Sequence, residues 1–381
     1  MSIPWFIIIT VAIIFGQSYI YSKWGLSRIL YKRTFSKSIV FEGEEIEMVD
    51  EISNKKLLPI PWLRLESKIH ASLKFRKISN QDNEIDSEEF HRTLFSLMPY
   101  QKVKRRQKLT CTQRGYFQFK TVSMTTGDAF GFGSSFESKQ AKAELTVYPK
   151  LAPLDEIPLP SHSWLGDITV KRWIIEDPFV IAGVRDYSYG DPMNTINWKA
   201  TARTNSLQVS KRDYTADHHL LIYLNFDETE DIWLPVKDLE LFEQGISYAA
   251  SLAQYTLSQG ISTGFGCNAY LVEPFQNSTD PIKQPIRIQP SNGTHQLTYI
   301  LDTMAKLRLD RSMSFNHFLL EDINRQMQNT DILLITTILT EKMEENIRIL
   351  EENGNSVEIV WLQKEMVNND VNDEAGERNV S

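Results

Sequence analysis

Asp227, Glu228 and Asp231 fall within five residues of one another, with the Thr229 hydroxyl between them. Hard divalent cations want several oxygen ligands, so this cluster has the residue types for a metal-dependent hydrolase. A run of acids after a strand is equally the ordinary make-up of a solvated loop. No other side chains assemble a catalytic constellation. The chain has no Gly-x-Ser-x-Gly, no Gly-rich phosphate loop and no His-Glu-x-x-His. Asp302 and Asp310 lie near a predicted helix, and no sequence motif sets a base or nucleophile beside them. The seven His are scattered, and the adjacent His218 and His219 would point to opposite faces of a strand. Cys111 and Cys267 are far apart, which leaves no disulfide framework and no Cys-based zinc site, and a reducing compartment is the simpler reading.

A second concentration of chemistry lies between Gly183 and Tyr214. Arg185, Asp186, Asp191, Lys199, Arg203, Lys211, Arg212 and Asp213 are too many charges for a core. They fit either an ion-paired connector or an edge where a partner docks. Asp191-Pro192 reads as a helix start, with Asp191 capping and Pro192 in the first helical position. Met193, Ile196 and Ala200 then share one face of a short helix, and Leu207 and Val209 alternate as in a strand. Trp198 between charged residues is expected to pack on the domain that follows. Arg185 or Arg203 is expected to pair with Asp186 or Asp191, since Arg suits bidentate pairing with a carboxylate.

Arg185-Asp186-Tyr187, Gly190-Asp191, Ile196-Asn197-Trp198-Lys199 and Ala202-Arg203 together resemble the signature of the bacterial family called domain of unknown function 58. Arg114-Gly115-Tyr116 and Asp128-Ala129-Phe130-Gly131-Phe132 also resemble it, although the family usually has Pro where Ala129 stands. The resemblance implies a domain similar to the von Willebrand factor A domain after the signature. It also implies a candidate partner, a MoxR-type AAA+ ATPase, with which relatives are commonly linked. A von Willebrand A domain often holds a divalent cation through Asp-x-Ser-x-Ser and later Thr and Asp residues. Against that pattern Asp227 matches, Thr229 keeps a hydroxyl, Asp231 replaces the last Ser, and Thr336, Thr337 and Thr340 stand where a later Asp is sought. The ligand set is therefore incomplete.

The elements that must carry these residues follow from patterning. Ile3 to Tyr21 is 19 residues without charge, roughly the hydrocarbon thickness of a bilayer at 1.5 Å per residue. A signal peptide would want a basic start and a small-residue cleavage site, which are missing, so residues 1–24 read as an uncleaved transmembrane anchor. Lys23, Arg28, Lys32, Arg33 and Lys37 follow the span, which puts the N-terminus outside and the C-terminal domains in the cytoplasm. Many relatives carry two spans; only one is found here. Residues 28–150 carry short alternating runs separated by turns, the pattern of an antiparallel β-sandwich. Within it, Lys102 to Lys108 is either a solvated strand face or a contact for anionic lipid. Ser79 to Glu89 reads as an exposed acidic loop.

Residues 151–214 form the connector that holds the signature, with Trp164, Trp173 and Ile174-Ile175 ahead of it. Residues 215–365 alternate strands and helices: Leu220 to Phe226, Asp238 to Gln259, Ser262 to Leu271, Thr294 to Leu309, Ser314 to Met327, Asp331 to Leu339, Lys342 to Asn353 and Val357 to Leu362. That order implies a parallel, doubly wound, Rossmann-like α/β domain. The tail 366–381 is polar and reads as disordered.

The chain thus reads as multidomain, with 381 residues and a net charge of −8 that argues against nucleic acid as its main partner. The expected function is a membrane-anchored, non-catalytic protein-interaction module with a cytoplasmic partner, working with a MoxR-type ATPase in assembly or maturation of a complex. The alternatives are the metal-dependent hydrolase and an externally facing envelope or adhesion scaffold.

Overall fold

The computed structural model describes residues 3–75, 90–128, 131, 133–159, 176–189, 191–214, 219–229, 235–271 and 283–363. The loop 79–89, Trp164, Trp173, Ile174-Ile175, Ala129, Phe130, Phe132, Gly190, Asp231 and the tail 366–381 lie outside these residues. The chain divides into two compact units: Met1–Lys150 with Met304–Lys306, and Leu151–Thr303 with Leu307–Ser381.

The first unit opens with α1 (Ile3–Trp24), a helix of 22 residues and about 33 Å. Its stretch Trp5–Trp24 is long and apolar enough to cross a membrane, and only 6% of it is buried. The last turn differs, because Tyr21, Gly25 and Leu26 are buried against the strands that follow. Lys56 donates its ammonium to the carbonyls of Trp24 (2.6 Å) and Gly25. Those are carbonyls that a helix end leaves without an internal partner.

Nine strands follow among the described residues: β1 (Ile29–Phe35), β2 (Ile39–Phe41), β3 (Glu45–Asn54), β4 (Ile60–Lys68), β5 (Leu73–Phe75), β6 (Phe90–Leu97), β7 (Lys102–Cys111), β8 (Gly115–Gly127) and β9 (Ser134–Tyr148). They make one sheet in the order β1-β3-β7-β5 and another in the order β2-β9-β8-β4-β6. All pairs are antiparallel except β2 with β9. Period-two burial explains the layering: β3 reads exposed or half-buried at every odd position and buried at every even one. Both sheets supply one apolar cluster, including Met48, Leu109, Phe119 and Leu145, and a second, including Ile29, Ile52, Leu63 and Met124. β4 ends at Lys68, and a turn closes through Leu73 N–H to His70 O ahead of β5.

The basic run lies in β7. Its outward Lys102 and Lys104 both pair with Glu51 of β3, and Lys108 stands opposite Glu47. This run is a strand face with its lysines charge-matched across the β3–β7 pair.

The second unit begins with the pair β10 (Glu176–Asp186) and β11 (Gln208–Tyr214), with α2 (Trp198–Thr204) between them. Then come β12 (His219–Leu224), α3 (Leu239–Ser258), β13 (Ser262–Cys267), β14 (Ala269–Leu271), β15 (Ile286–Ser291), α4 (Thr294–Lys306), β16 (Leu307–Arg311), α5 (Phe315–Asn324), β17 (Thr330–Thr336), α6 (Glu341–Glu352) and β18 (Ser356–Trp361). The main sheet runs β15-β13-β12-β17-β18. It is parallel except at the β15 edge.

Leu224 packs toward Gly245 of α3, while Leu221 and Tyr223 join the cluster built by α5 and α6. Successive β12 residues thus serve opposite faces, and helices cover both. Two expectations are corrected. The helix foreseen to Leu309 ends at Lys306, and Leu307–Arg311 is a strand paired with β14. The strand foreseen over Ser262–Leu271 is split after Cys267, and its second piece joins β16 instead.

Candidate functional site

The signature segment is built around one carboxylate. Arg185, on β10, donates Nη1 to Asp191 Oδ2 and Nη2 to Asp191 Oδ1, both at 2.7 Å. The Ser188 N–H adds a third bond to Asp191 at 2.8 Å. Arg185 and these donors hold the Asp191 carboxyl below the usual range. Asp186 accepts instead from Gln208. Asp191 therefore closes the loop after β10 and does not cap a helix. A single 3₁₀ turn follows (Met193–Thr195), and α2 starts only at Trp198, capped by Asn197, whose Oδ1 accepts the Ala200 N–H at 3.0 Å. Asn197 also bonds Ser210 on β11, and Ile196 bridges to Val209, with both of those side chains buried. Asn205 ends α2 in the left-handed conformation at φ 57°.

Ile196 and the Asn197 cap thus tie this segment to its hairpin, and α2 itself buries no residue. The expected burial of Trp198 is corrected: its ring is 66% exposed. Lys199, Ala202 and Arg203 are exposed beside it, and Tyr187 is half-buried. Tyr189, Met193, Val184 and Leu207 are exposed too. The side chains of Lys211, Arg212 and Asp213 lie outside the description.

The acidic cluster sits elsewhere and is used differently. Asp227 is buried behind the end of β12. Its Oδ1 accepts from Asn268 Nδ2 at 2.9 Å, its Oδ2 from the Phe315 N–H at 2.7 Å, and Arg311 stands 3.9 Å away. Burial raises its pKa in spite of these partners. Glu228 accepts the N–H groups of Lys237 and Asp238 at 2.7–3.0 Å, just ahead of α3. Thr229 is exposed. Asn225 bonds Thr336, and Thr337 donates to the Asp227 carbonyl. Thr340 caps α6. These residues gather at the carboxyl ends of β12 and β17, where the strand order reverses. Asp227 and Glu228 direct their oxygens at protein donors. Among the described residues no three His, Cys, Asp or Glu side chains converge as metal ligands.

Sequence reasoning missed a third group. Arg287 on β15 bonds Asp322 (2.9 Å) and Glu321 (3.0 Å), and its guanidinium lies 3.8 Å from the Phe318 ring centroid. Tyr223 donates to Asp322 at 3.0 Å. Burial raises the pKa of Asp322 and puts that of Tyr223 well above its ordinary value. A cavity of about 170 Å³ adjoins them, lined also by Leu221, Ile288 and Met327. Its partners are 35 and 99 residues apart in sequence, so no spacing marks them.

Residues 183–365 match the family described as "Protein of unknown function DUF58". The chain is 21% identical over 259 residues to the uncharacterized protein YeaD of Bacillus subtilis (strain 168), a match covering 68% of this chain and 58% of that protein. The family model thus matches just under half of this chain, and the chain spans a little over half the length of YeaD. Among solved structures, a non-cellulosomal cohesin from Archaeoglobus fulgidus aligns at 13% identity and a TM-score of 0.23, over 32% of this chain and 90% of its own. A CARDB domain from Pyrococcus furiosus aligns at 11% and 0.19, over 32% and 96%. Scores of that size do not establish a shared fold.

Proposed function

We propose that the protein is a membrane-anchored, non-catalytic interaction module whose signature segment docks a cytoplasmic protein. The observation that carries this is the exposed set Trp198, Tyr189, Met193, Val184 and Leu207 on a loop pinned by Arg185 and Asp191. Large exposed rings around ordered charges are the make-up of a binding surface, where Trp, Tyr and Arg dominate the energetics. A ring with no packing role in its own unit is free for one in a complex.

The candidate partner is a MoxR-type AAA+ ATPase, acting in assembly or maturation of a protein complex. The two sheets with shared apolar clusters support a β-sandwich for the first unit. The order β15-β13-β12-β17-β18 with helices on both faces supports a von Willebrand A-like, doubly wound second unit. For α1, the buried final turn and its Lys56 clasp favour a retained anchor over a cleaved signal, and the basic flank favours the N-terminus outside. The hydrolase reading loses support because Asp227 and Glu228 already accept protein N–H donors.

The test is direct binding of the purified full chain, in lipid nanodiscs, to the MoxR-type ATPase of the same cell. Binding that weakens at least about tenfold in Trp198→Ala and Arg185→Ala fits the loss of two central contacts. No binding, or binding indifferent to both changes, overturns the proposal.

A further inference from the structure

Three segments of the first unit meet where α1 ends. Lys55 N–H donates to Arg28 O at 3.1 Å, and Lys56 holds the α1 terminus through Trp24 and Gly25. Tyr100 N–H donates to Lys56 O (3.3 Å), and Asn54 Nδ2 ties Leu58 O (3.0 Å) to Met98 O (3.1 Å). Residues 22–28, 55–58 and 98–101 are thus one hydrogen-bonded platform.

The outward side chains of this platform are of two kinds. Leu57, Met98 and Tyr100 are 74%, 65% and 70% exposed, and Trp24 beside them is half exposed. Lys23, Arg28 and Lys55 are exposed cations, and none of the three segments contains an acid. Single exposed apolar residues are ordinary on any surface. Here three stand on hydrogen-bonded tips at the base of a helix apolar enough to span a membrane, with the exposed cations Lys23, Arg28 and Lys55 on the same segments. The contrast is with β7, where Lys102 and Lys104 pair with Glu51 and Lys108 stands opposite Glu47 in register.

We propose that this platform seats on the membrane surface around α1, with Leu57, Met98, Tyr100 and Trp24 in the interfacial layer and Lys23, Arg28 and Lys55 on anionic lipid headgroups. The proposal rests on α1 being a membrane anchor. Aromatic and apolar tips gain by entering the interface, and each nearby cation adds attraction to an anionic leaflet. Seating would add surface contacts to the clasped end of α1 and fix the orientation of the first unit on the membrane. Arg28 and Tyr100 both sit at φ 55°, a backbone region that ordinary residues avoid, and the bonds at Arg28 O and Tyr100 N–H brace the backbone there.

The experiment uses the full chain in vesicles of phosphatidylglycerol and phosphatidylcholine. L57C, M98C, Y100C and a far-end control, K37C, are each labelled with a fluorophore. The native Cys111 and Cys267 are buried, so labelling is selective. Lys37 lies nine residues beyond Arg28, about 30 Å along the strand direction. A nitroxide lipid labelled near its headgroup is the quencher, and F6C reports the helix itself. Quenching at 57, 98 and 100 at least about twofold above that at 37 is expected. Arg28→Gln with Lys55→Gln should lower the ratio of docked to undocked protein roughly tenfold. Tips that behave like position 37 while F6C is quenched would overturn the docking and leave the anchor standing. An unquenched F6C would remove the anchor and the docking together. Unchanged quenching in the double variant would overturn the role of anionic lipid.

Discussion

The Arg33 guanidinium donates to both oxygens of Asp50, at 2.8 and 3.1 Å, and to Ser67 on the opposite sheet, while Tyr31 adds a bond to Asp50 at 2.6 Å. Both charged groups are buried. Removing one partner leaves the other charge buried and unmatched, so Asp50→Ala should cost about 3–5 kcal/mol in urea unfolding. A loss under about 1 kcal/mol would show that water reaches the pair. His91 lies close by. Burial, helped by Arg33, lowers its pKa to about 4.

An unfolded His takes its proton near pH 6.5, so falling pH favours the unfolded chain between about 6.5 and 4. The neutral form of His91 contributes stability above that window and loses it through the window. The first unit's melting temperature should fall from pH 7 to pH 5, and His91→Gln should remove part of that slope. An identical slope in the variant would assign it to other groups.

Residue types narrowed the ion pair to Arg185 or Arg203 with Asp186 or Asp191, and only the structure selects Arg185 with Asp191. The exposure of Trp198 was not legible, since a sequence does not show that Ile196 and Asn197 already anchor the loop. Asp227 read as a loop acid for a similar reason. Its donors, Asn268 and Phe315, lie 41 and 88 residues further on.

At the level of elements, β13 is shaped by what it lacks. A Cβ on Gly266 would come within 2.8 Å of the Tyr223 ring and 3.1 Å of Phe318, and one on Gly264 would meet the Ile288 carbonyl. The bare strand makes room for Tyr223 and for the cavity beside Arg287. Gly266→Ala should destabilise the second unit by about 1–3 kcal/mol, read by urea titration. A neutral change would mean that Tyr223 can swing aside.

The elements with strong periodicity, β12, α3, β17 and α6, were legible within a residue or a few. The weak ones were not, and each has a physical reason. Ile300, Met304 and Leu307 continue a helical spacing, so the sequence of β16 reads as helix and does not show its pairing with β14. β15 is six residues ending in Pro290-Ser291, and it survives as a strand because it is the antiparallel edge. β1 carries Lys32 and Arg33, which obscured its alternation.

Over the whole molecule, the apolar helix was plain in the composition, and so was the change from β-rich to alternating patterning. What composition could not give was how firmly α1 is joined to the first unit. That joint depends on Lys56 and on close approaches at Gly25 and Gly133, where a Cβ would meet Thr126 and Ser18. The proposed orientation has a direct readout. Protease added to intact cells should leave both units whole, and digestion from outside would reverse the topology.

The central claim is that the signature segment faces a partner and does not brace its own unit. One variant tests it. Trp198→Ala should leave the melting curve of the full chain within about 0.5 kcal/mol of the parent, as for a surface change away from any packing. The same variant should lose capture of the MoxR-type ATPase. A variant that melts early yet binds normally would contradict the account, and would return Trp198 to a structural role.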